Sequence, residues 1–327
     1  EVVEADFEPG HDVPQAWLAR AQARLGLSTA ELELPPMALR LVLPRAQRAL
    51  APRMLRAARL AVAWYGLHYG PYPYPQLTVV SPPPQAAAAG AMEYPTFITT
   101  GADGFHAWPP FSWSSAIESV TVHEFGHQYF QGLLASNEFE EAWLDEGLAS
   151  YAEIACLTDI AADRLVPEIR GYSYWSAERF ALAYAGLPVT PGTRAWEFRD
   201  GESYYLGSYT KTALALKTVE GLVGADALAR GLRAYVVRHA FGHPTGRDLV
   251  AALGEAAGRD LGSFFEQAIW GDADADWGVA GVRQREQRAA AGSAPSGPQA
   301  PPRGDPEVVA APWLVEVDLV RRGGFVG

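Results

Sequence analysis

Two histidines four positions apart, His123 and His127, enclose the run HEFGH, in which Glu124 follows the first of them. On an α-helix, residues i and i+4 lie on the same face, so both imidazoles can point toward one metal ion. Glu124 is then beside the ion, where its carboxylate can accept a proton from a water molecule instead of binding the metal. The run therefore predicts a metal-dependent hydrolytic centre on a helix.

A catalytic zinc ion takes three protein ligands and leaves a fourth position open. Glu146, in the run WLDEG, follows His127 after eighteen intervening residues, which is enough chain to end one helix, cross a loop and begin a second, antiparallel helix. We therefore expect Glu146 to face the two histidines and complete one zinc site per chain. Glu153 lies seven residues later on the same helical face. Two interpretations of it stay open: a carboxylate that orients a metal-bound imidazole, or a plain surface carboxylate.

The ligand types agree with the cysteine count. Cys156 is the single cysteine of the sequence, so neither an intrachain disulfide nor a thiolate zinc cluster can form. A metal site must use His, Asp and Glu, a set that suits catalytic zinc better than structural zinc. The sequence has no G-x-x-x-x-G-K-[ST], G-x-G-x-x-G or G-x-S-x-G motif, which argues against nucleotide use and serine hydrolase chemistry.

The overall charge excludes some partners. The formal net charge is −12, from 38 acidic and 26 basic residues, which argues against nucleic acid or an anionic membrane as the main partner. The sequence contains no run of 18 apolar residues, so we expect no membrane span. No signal peptide is visible either. We expect a soluble protein and assign no compartment.

Two helices are predicted to carry the metal ligands. The first covers residues 115–132, where Ser115 and Glu118 form an S-x-x-E capping box and Gly132 can close the C-terminal end. The second begins near Trp143 and runs to residue 157. The other predicted elements are helices at 15–25 and 53–67, strand-like runs at 39–43 and 77–80, an edge strand within 90–100, and a helical region over 209–269.

Composition predicts the domain organisation. We expect an N-terminal connecting segment (1–45), a catalytic domain (46–275) and a linker rich in Pro, Ala and Gly (276–306). Residues 307–327 are predicted as the first strand of a truncated β-sandwich domain, because residues 313–320 alternate strictly between apolar and acidic faces. A lone strand is not stable by itself, so we expect the native protein to be longer and other domains to be missing.

Three motifs resemble a known family. The pattern HEFGH, eighteen residues and then the Glu of WLDEGLASYAE is similar to the aminopeptidase N family of zinc metallopeptidases. GAMEYP, whose Glu93 lies thirty residues before His123, resembles the family signature G-x-M-E-N. The run YTKT, which begins at Tyr209 and follows Glu146 by 63 residues, resembles the family's Y-E-K-G. The resemblance covers roughly residues 53–275, with the motifs in the family's order.

The resemblance implies an α+β fold, a thermolysin-like zinc peptidase domain with a small mixed sheet, a zinc-carrying helix pair and a helical lobe. It implies that Glu124 is the general base and that Tyr209 stabilises the tetrahedral oxyanion. Glu93 is expected to bind the free α-amine of a peptide substrate. The strand that is expected to lie against the peptide backbone contributes Gly90, Ala91 and Met92.

The sequence departs from the family pattern at two places. Tyr94 stands where the signature has Asn, and Thr210 and Thr212 stand where the family has Glu and Gly. Tyr204 and Tyr205 are alternative candidates for the role of Tyr209. The predicted function is a zinc-dependent metallo-aminopeptidase acting on peptides. The alternatives are a zinc endopeptidase with the same centre, a non-catalytic binding module, and a zinc-binding fragment of weak activity.

Overall fold

A four-stranded mixed sheet forms one layer of the larger of two structural units, Glu1–Asp272. In this computed structural model the described residues are 1–83, 85–86, 90–101, 108, 111–167, 189–272, 277–286 and 313–321. The strands lie in the order β1-β2-β3-β4, with β1 antiparallel to β2 and with β2, β3 and β4 parallel to one another. Their bounds are Val2–Phe7 (β1), Met37–Val42 (β2), Gln76–Val80 (β3) and Phe97–Thr99 (β4).

Much of the rest of the described part of this unit is helical. The helices in the first half of the chain are Pro9–Asp12 (α1), Gln15–Leu25 (α2), Ala51–Tyr69 (α3), Ala116–Phe130 (α4) and Glu138–Ala162 (α5). Those that follow are Gly201–Tyr205 (α6), the π-helix Leu206–Lys211, Thr212–Val223 (α7), Ala225–His239 (α8), Gly246–Ala257 (α9) and Gly262–Ala268 (α10). Short 3-10 turns occur at Ala30–Leu32, Arg45–Leu50, Phe111–Trp113 and Ala195–Glu197. The predicted α+β class with a small mixed sheet is confirmed.

Helix α3 is the centre of the core. Its residues from Leu60 to Tyr69 are all buried, which is typical of a helix enclosed on every side. The Tyr65 ring packs on Phe125 and Tyr129 of α4, with ring centroids 5.6 Å apart in both pairs. Helix α3 therefore links the sheet, which it contacts through β1 and β2, to the helix that carries the two histidines.

A buried ion pair joins α3 to the start of α4. Arg53 donates from Nε and Nη2 to the Glu118 carboxylate, at 2.7 Å in each case, and both side chains are buried. Arg53 also donates to the carbonyl oxygens of Ser112 and Ser114, at 2.8 and 2.6 Å. The predicted capping box is wrong. Ser115 is the N-cap residue, but its side chain makes no capping hydrogen bond, and the Glu118 carboxylate binds Arg53.

The N-terminal segment is more than a connection. The sequence predicts residues 1–45 as a connecting segment, but they supply β1, α1, α2 and β2 to the same unit as the HEFGH helix α4.

The edge strand predicted within 90–100 is shorter than expected. Only Phe97–Thr99 is a strand, because Thr96 turns the chain with φ of 59° and Met92 pairs back on Thr99.

The smaller unit, Ala273–Gly327, contains an antiparallel pair of strands. Strand β5, Trp277–Glu286, pairs with β6, Trp313–Arg321, and a bulge lies between Val279 and Gly281. The predicted linker over 276–306 is therefore wrong for its first part, which forms the strand Trp277–Glu286. Residues 287–306 lie outside the described part of the chain. The strand predicted at 313–320 is present, although as the second strand of its pair.

In the described part of the chain, every helix falls short of either the length or the apolar character that crossing a bilayer requires.

The Arg53–Glu118 pair provides a stability test. Glu118→Gln leaves a buried guanidinium without its counter-charge, so we expect the free energy of unfolding to fall by about 3 kcal/mol in urea titrations. The matched control is Glu4→Gln, which breaks an exposed pair with Arg40 and should cost less than about 1 kcal/mol. Equal losses in the two variants would contradict a structural role for the buried pair.

Candidate active site

Helix α4 presents two imidazoles on one face, as the HEFGH run predicts. The Nε2 atoms of His123 and His127 are 3.1 Å apart. Gly126, between them in sequence, faces the core, where a Cβ atom would lie 2.5 Å from the Tyr65 hydroxyl oxygen. Because only glycine fits there, α4 packs directly on α3, and this close packing holds the two histidines in place.

Helix α5 brings Glu146 to the same point. Asn137 caps the helix by accepting a hydrogen bond from the Phe139 N–H, and the backbone is non-helical at Glu141 (φ −135°), which bends the first turn. Glu146 Oε2 then lies 3.4 Å from His123 Nε2 and 3.2 Å from His127 Nε2. The three residues predicted as metal ligands are thus brought together.

The triad fits a zinc ion on its own geometry. A tetrahedral zinc ion with bonds of about 2.1 Å holds its ligand atoms about 3.4 Å apart. The three separations here are 3.1, 3.2 and 3.4 Å. Among the described residues, Glu146 Oε2 is buried and makes no hydrogen bond. A buried carboxylate oxygen without a donor is what a cation at the centre of this triangle would satisfy.

The other nitrogen of each imidazole is also held. His123 Nδ1 lies 3.2 Å from Glu153 Oε2, and His127 Nδ1 hydrogen-bonds to Asp145 Oδ1. A carboxylate can only accept, so each Nδ1 carries the proton and each Nε2 is free to bind a metal. Ser119 donates its hydroxyl to the second oxygen of Glu153. The geometry favours the orienting interpretation of Glu153 over a surface carboxylate.

Sequence reasoning missed Asp145. It directly precedes Glu146 and is buried, with 1% of its surface exposed. The signal that could have found it is an acidic residue beside a predicted ligand in the apolar run AWLDEGLAS, since a buried carboxylate requires a partner. Its partner is His127.

The carboxylates control the charge of the site. Burial lowers the pKa of His123, but Glu146 and Glu153 outweigh that influence and raise the pKa to about 10. Positive charge at this position is therefore strongly favoured. A divalent cation on the Nε2 atoms would satisfy the same carboxylates in place of a proton.

Glu124 lies beside the triad without belonging to it. Its side chain is nearly enclosed, with 6% of the residue exposed, and burial raises its pKa to about 7, an effect that His123 and His127 reduce. A carboxylate with a pKa near neutrality can both accept and return a proton. This arrangement suits a general base.

Glu93 lies close to Glu124 and His127. One carboxylate oxygen of Glu93, one of Glu124 and a ring nitrogen of His127 lie within 4.8 Å of one another. Tyr94, which departs from the family signature, has its side chain exposed, with its ring 6.2 Å from that of Phe97. The departure therefore changes an outer surface and leaves the Glu93 carboxylate beside Glu124.

The predicted substrate strand turns out to be a short hairpin-like segment. Met92 pairs with Thr99 through two backbone hydrogen bonds of 3.2 and 2.8 Å. Gly90 has φ of 61°, and its carbonyl accepts from the Thr99 hydroxyl. Ala91 lines a cleft of about 230 Å³. The other residues that line the cleft are Ser119, Val120, His123, Glu124, Ser150, Glu153, Tyr205 and Tyr209.

Tyr209, in the π-helix, reaches the residues that could hold a metal ion. Its ring stacks on the His123 ring (centroids 5.7 Å apart, planes at 8°), and its hydroxyl donates to Glu146 Oε1 at 2.5 Å. Burial and the nearby Glu146 carboxylate raise the pKa of Tyr209, so the hydroxyl stays protonated and able to donate. Of the alternative candidates, Tyr205 lines the cleft and Tyr204 packs edge-on against the Tyr209 ring.

The close approach of the π-helix to α5 depends on Gly147. A Cβ atom on that residue would lie 2.2 Å from Cγ2 of Thr212 and 2.8 Å from the Ser208 carbonyl oxygen. Because glycine follows Glu146 directly, the two helices can meet there, and Tyr209 can reach the Glu146 carboxylate. Single π turns are often found at functional sites.

Comparison with known proteins identifies the family. A model of the peptidase family M1 domain matches residues 58–268. The chain is 31% identical over 152 residues to aminopeptidase N of Streptomyces lividans, covering 44% of this chain and 17% of the relative. It is 28% identical over 224 residues to aminopeptidase N of Lactobacillus helveticus, covering 64% and 25%. The chain thus spans about a quarter or less of these relatives.

Solved structures share the fold. The M1 zinc metallopeptidase from Deinococcus radiodurans superposes with a TM-score of 0.55 at 21% identity, covering 83% of this chain and 52% of that one. Aminopeptidase A of Legionella pneumophila, in complex with aspartic acid, gives a TM-score of 0.56 at 15% identity, covering 75% and 28%. At these identities the comparison establishes the fold.

The carboxylate behind His123 can be tested by zinc affinity. Glu153→Ala removes the acceptor for His123 Nδ1–H, so we expect zinc to bind about 10- to 100-fold more weakly in competition with a chromophoric chelator. Ser119→Ala, which removes only the hydroxyl that donates to Glu153, should change the affinity much less. Unchanged zinc affinity in a folded Glu153→Ala variant would contradict the orienting role.

Proposed function

The chain belongs to peptidase family M1, and we propose that it is a zinc-dependent metallo-aminopeptidase that hydrolyses N-terminal residues from peptides. One zinc ion per chain would be held by His123, His127 and Glu146. The observation that carries the aminopeptidase assignment is the Glu93 carboxylate within 4.8 Å of Glu124 and His127. The matched relatives that are named aminopeptidases support the same assignment.

The metal supplies the electrophilic part of the chemistry. A zinc ion on these ligands would lower the pKa of a water molecule and polarise the scissile carbonyl. The protein supplies the proton transfers: Glu124 accepts the proton of the attacking water and delivers it to the leaving amine. Enclosure of Glu124 keeps its pKa in the range where both transfers are favourable.

Tyr209 is assigned to the developing negative charge. Its hydroxyl is protonated and lies among the metal ligands, at 2.5 Å from Glu146 Oε1. When substrate occupies the cleft, the same hydroxyl can donate to the carbonyl oxygen as that oxygen becomes an anion. A donor aimed at developing charge typically contributes about 3 kcal/mol to catalysis.

Glu93 is assigned to the substrate's amino terminus. A free α-ammonium placed beside Glu93 puts the first peptide bond next to Glu124, because the two carboxylates are neighbours. Gly90, Ala91 and Met92 precede Glu93 along the same segment, and Ala91 lines the cleft. We assign the backbone of these three residues to contacts with the peptide. A peptide with a blocked amine loses the charge that Glu93 binds.

The amine requirement can be tested with one peptide and its N-acetylated twin. We expect the chain with zinc to release the first residue of the free peptide, and to leave the acetylated twin uncut at any internal bond. A chelator should abolish the activity and zinc should restore it. Product masses identify the bond that is cleaved.

The controls separate the alternatives. Glu93→Gln should raise KM for the free peptide, while Glu140→Gln, an exposed carboxylate on α5, should not. Equal cleavage of the twins at an internal bond would identify an endopeptidase. Bound zinc without cleavage of either twin would identify a zinc-binding fragment of weak activity.

The general base has its own test. Glu124→Gln keeps the shape of the side chain but cannot accept a proton, so we expect kcat to fall by about 10²- to 10⁴-fold. Zinc content should stay at the level of the unmodified chain, because Glu124 is not one of the three ligands. Loss of zinc in this variant, measured by atomic absorption, would overturn the assignment of Glu124 as a base.

A further inference from the structure

The segment that carries Glu93 is held by one side chain of the metal-binding helix. Gln128, the residue after His127, is buried, with 2% of its surface exposed. Its Nε2 donates to the carbonyl oxygen of Glu93 at 3.0 Å and to that of Tyr94 at 3.2 Å. Its Oε1 accepts from the Thr96 N–H at 2.8 Å. One amide therefore bonds to three of four successive backbone units.

The orientation of this amide follows from its partners. Backbone carbonyls can only accept and a backbone N–H can only donate, so the nitrogen must face Glu93 and Tyr94 and the oxygen must face Thr96. The Tyr72 hydroxyl adds a long contact of 3.4 Å to Oε1. The two donors and the acceptor of Gln128 are all used, which fixes the side chain in one rotamer.

The segment needs such a support. Thr96 has φ of 59°, a left-handed conformation that a β-branched residue rarely adopts. Pro95 precedes it and offers no N–H, so regular strand pairing stops there. The chain between Met92 and Phe97 therefore departs from regular strand pairing. The Tyr94 carbonyl also accepts from the Phe97 N–H at 2.9 Å, and the Thr96 carbonyl accepts from the Thr78 N–H of β3 at 2.9 Å. Gln128 provides the hydrogen bonds to the Glu93 carbonyl and to the Thr96 N–H.

We propose that Gln128 is a positioning residue for amine recognition: it ties the backbone of Glu93 to α4 and thereby sets the Glu93 carboxylate against Glu124. The inference rests on the proposed function and deepens it. Gln128 belongs to the same helix as His123, Glu124 and His127. The position of the Glu93 carboxylate and that of the Glu124 carboxylate are consequently both set by helix α4. The distance between the two carboxylates then selects the first peptide bond.

The test is Gln128→Met, which keeps an unbranched side chain of similar size and removes every hydrogen bond. We expect KM for the free peptide to rise at least about tenfold, with kcat changed less than about threefold. The ratio of kcat/KM between the free peptide and its acetylated twin should fall toward one. Zinc content should be unchanged. Gln22→Met on α2 is the matched control and should leave all these quantities unchanged.

A double-mutant cycle shows whether Gln128 acts through Glu93. In a Glu93→Gln background, Gln128→Met should cause no further loss of kcat/KM, because the group that Gln128 positions has already been removed. A full additional loss in the double variant would overturn the proposal. An unchanged kcat/KM for the free peptide in the single Gln128→Met variant would overturn it as well.

Hydrogen exchange gives a readout that is independent of turnover. The Thr96 amide should be protected in the unmodified chain and lose protection in Gln128→Met, while amides within α4 stay protected. Where Gln128→Met does not fold, Gln128→Asn shortens the reach of the amide and should give the same pattern at smaller size. If the unmodified chain itself cleaves both twins equally, the proposed function fails. If the unmodified chain discriminates and the variants keep its kcat/KM for the free peptide, only this inference fails.

Discussion

Buried negative charge around two imidazoles is the constraint on which the rest of the site depends. Asp145, Glu146 and Glu153 all face His123 or His127, and all three belong to α5. Carboxylates inside a protein require positive charge or hydrogen-bond donors, since burial without them is very costly. The imidazoles provide donors through Nδ1, and Glu146 Oε2 is left for a cation. Binding of a metal ion at this site would therefore be linked to the packing of α4 against α5.

The packing that permits this arrangement relies on the absence of side chains at two positions. Gly126 lets α4 rest on Tyr65, and Gly147 lets α5 rest on Thr212. Each glycine lies next to a residue of the candidate site, so the helices approach closely at that site. The large aromatic side chains of α3 and α4 fill the space behind the site and keep both helices from shifting.

The sequence predicted those features that depend on local spacing. HEFGH, the eighteen-residue interval and the helical periodicity identified His123, His127 and Glu146, and the structure brings these residues together. It could not predict partners that are distant in the chain. From its neighbours in sequence, Glu118 is predicted to cap α4, yet its partner is Arg53, 65 residues earlier. The strand-like run predicted at 39–43 overlaps β2, whereas β1 is not predicted, because its pairing with β2 is decided by tertiary contacts.

The π-helix has a consequence for the geometry of the chain around Tyr209. A wider turn is equivalent to one residue inserted into an α-helix, which rotates everything before it by about 100° relative to everything after it. The segment can thus aim the Tyr209 ring at His123 while Thr212, at the start of α7, still meets Gly147. A uniform helix would satisfy one of these contacts and lose the other. The π turn rotates the helix face that carries Tyr209 relative to the face that packs on α5. Both contacts can therefore form within one continuous helix.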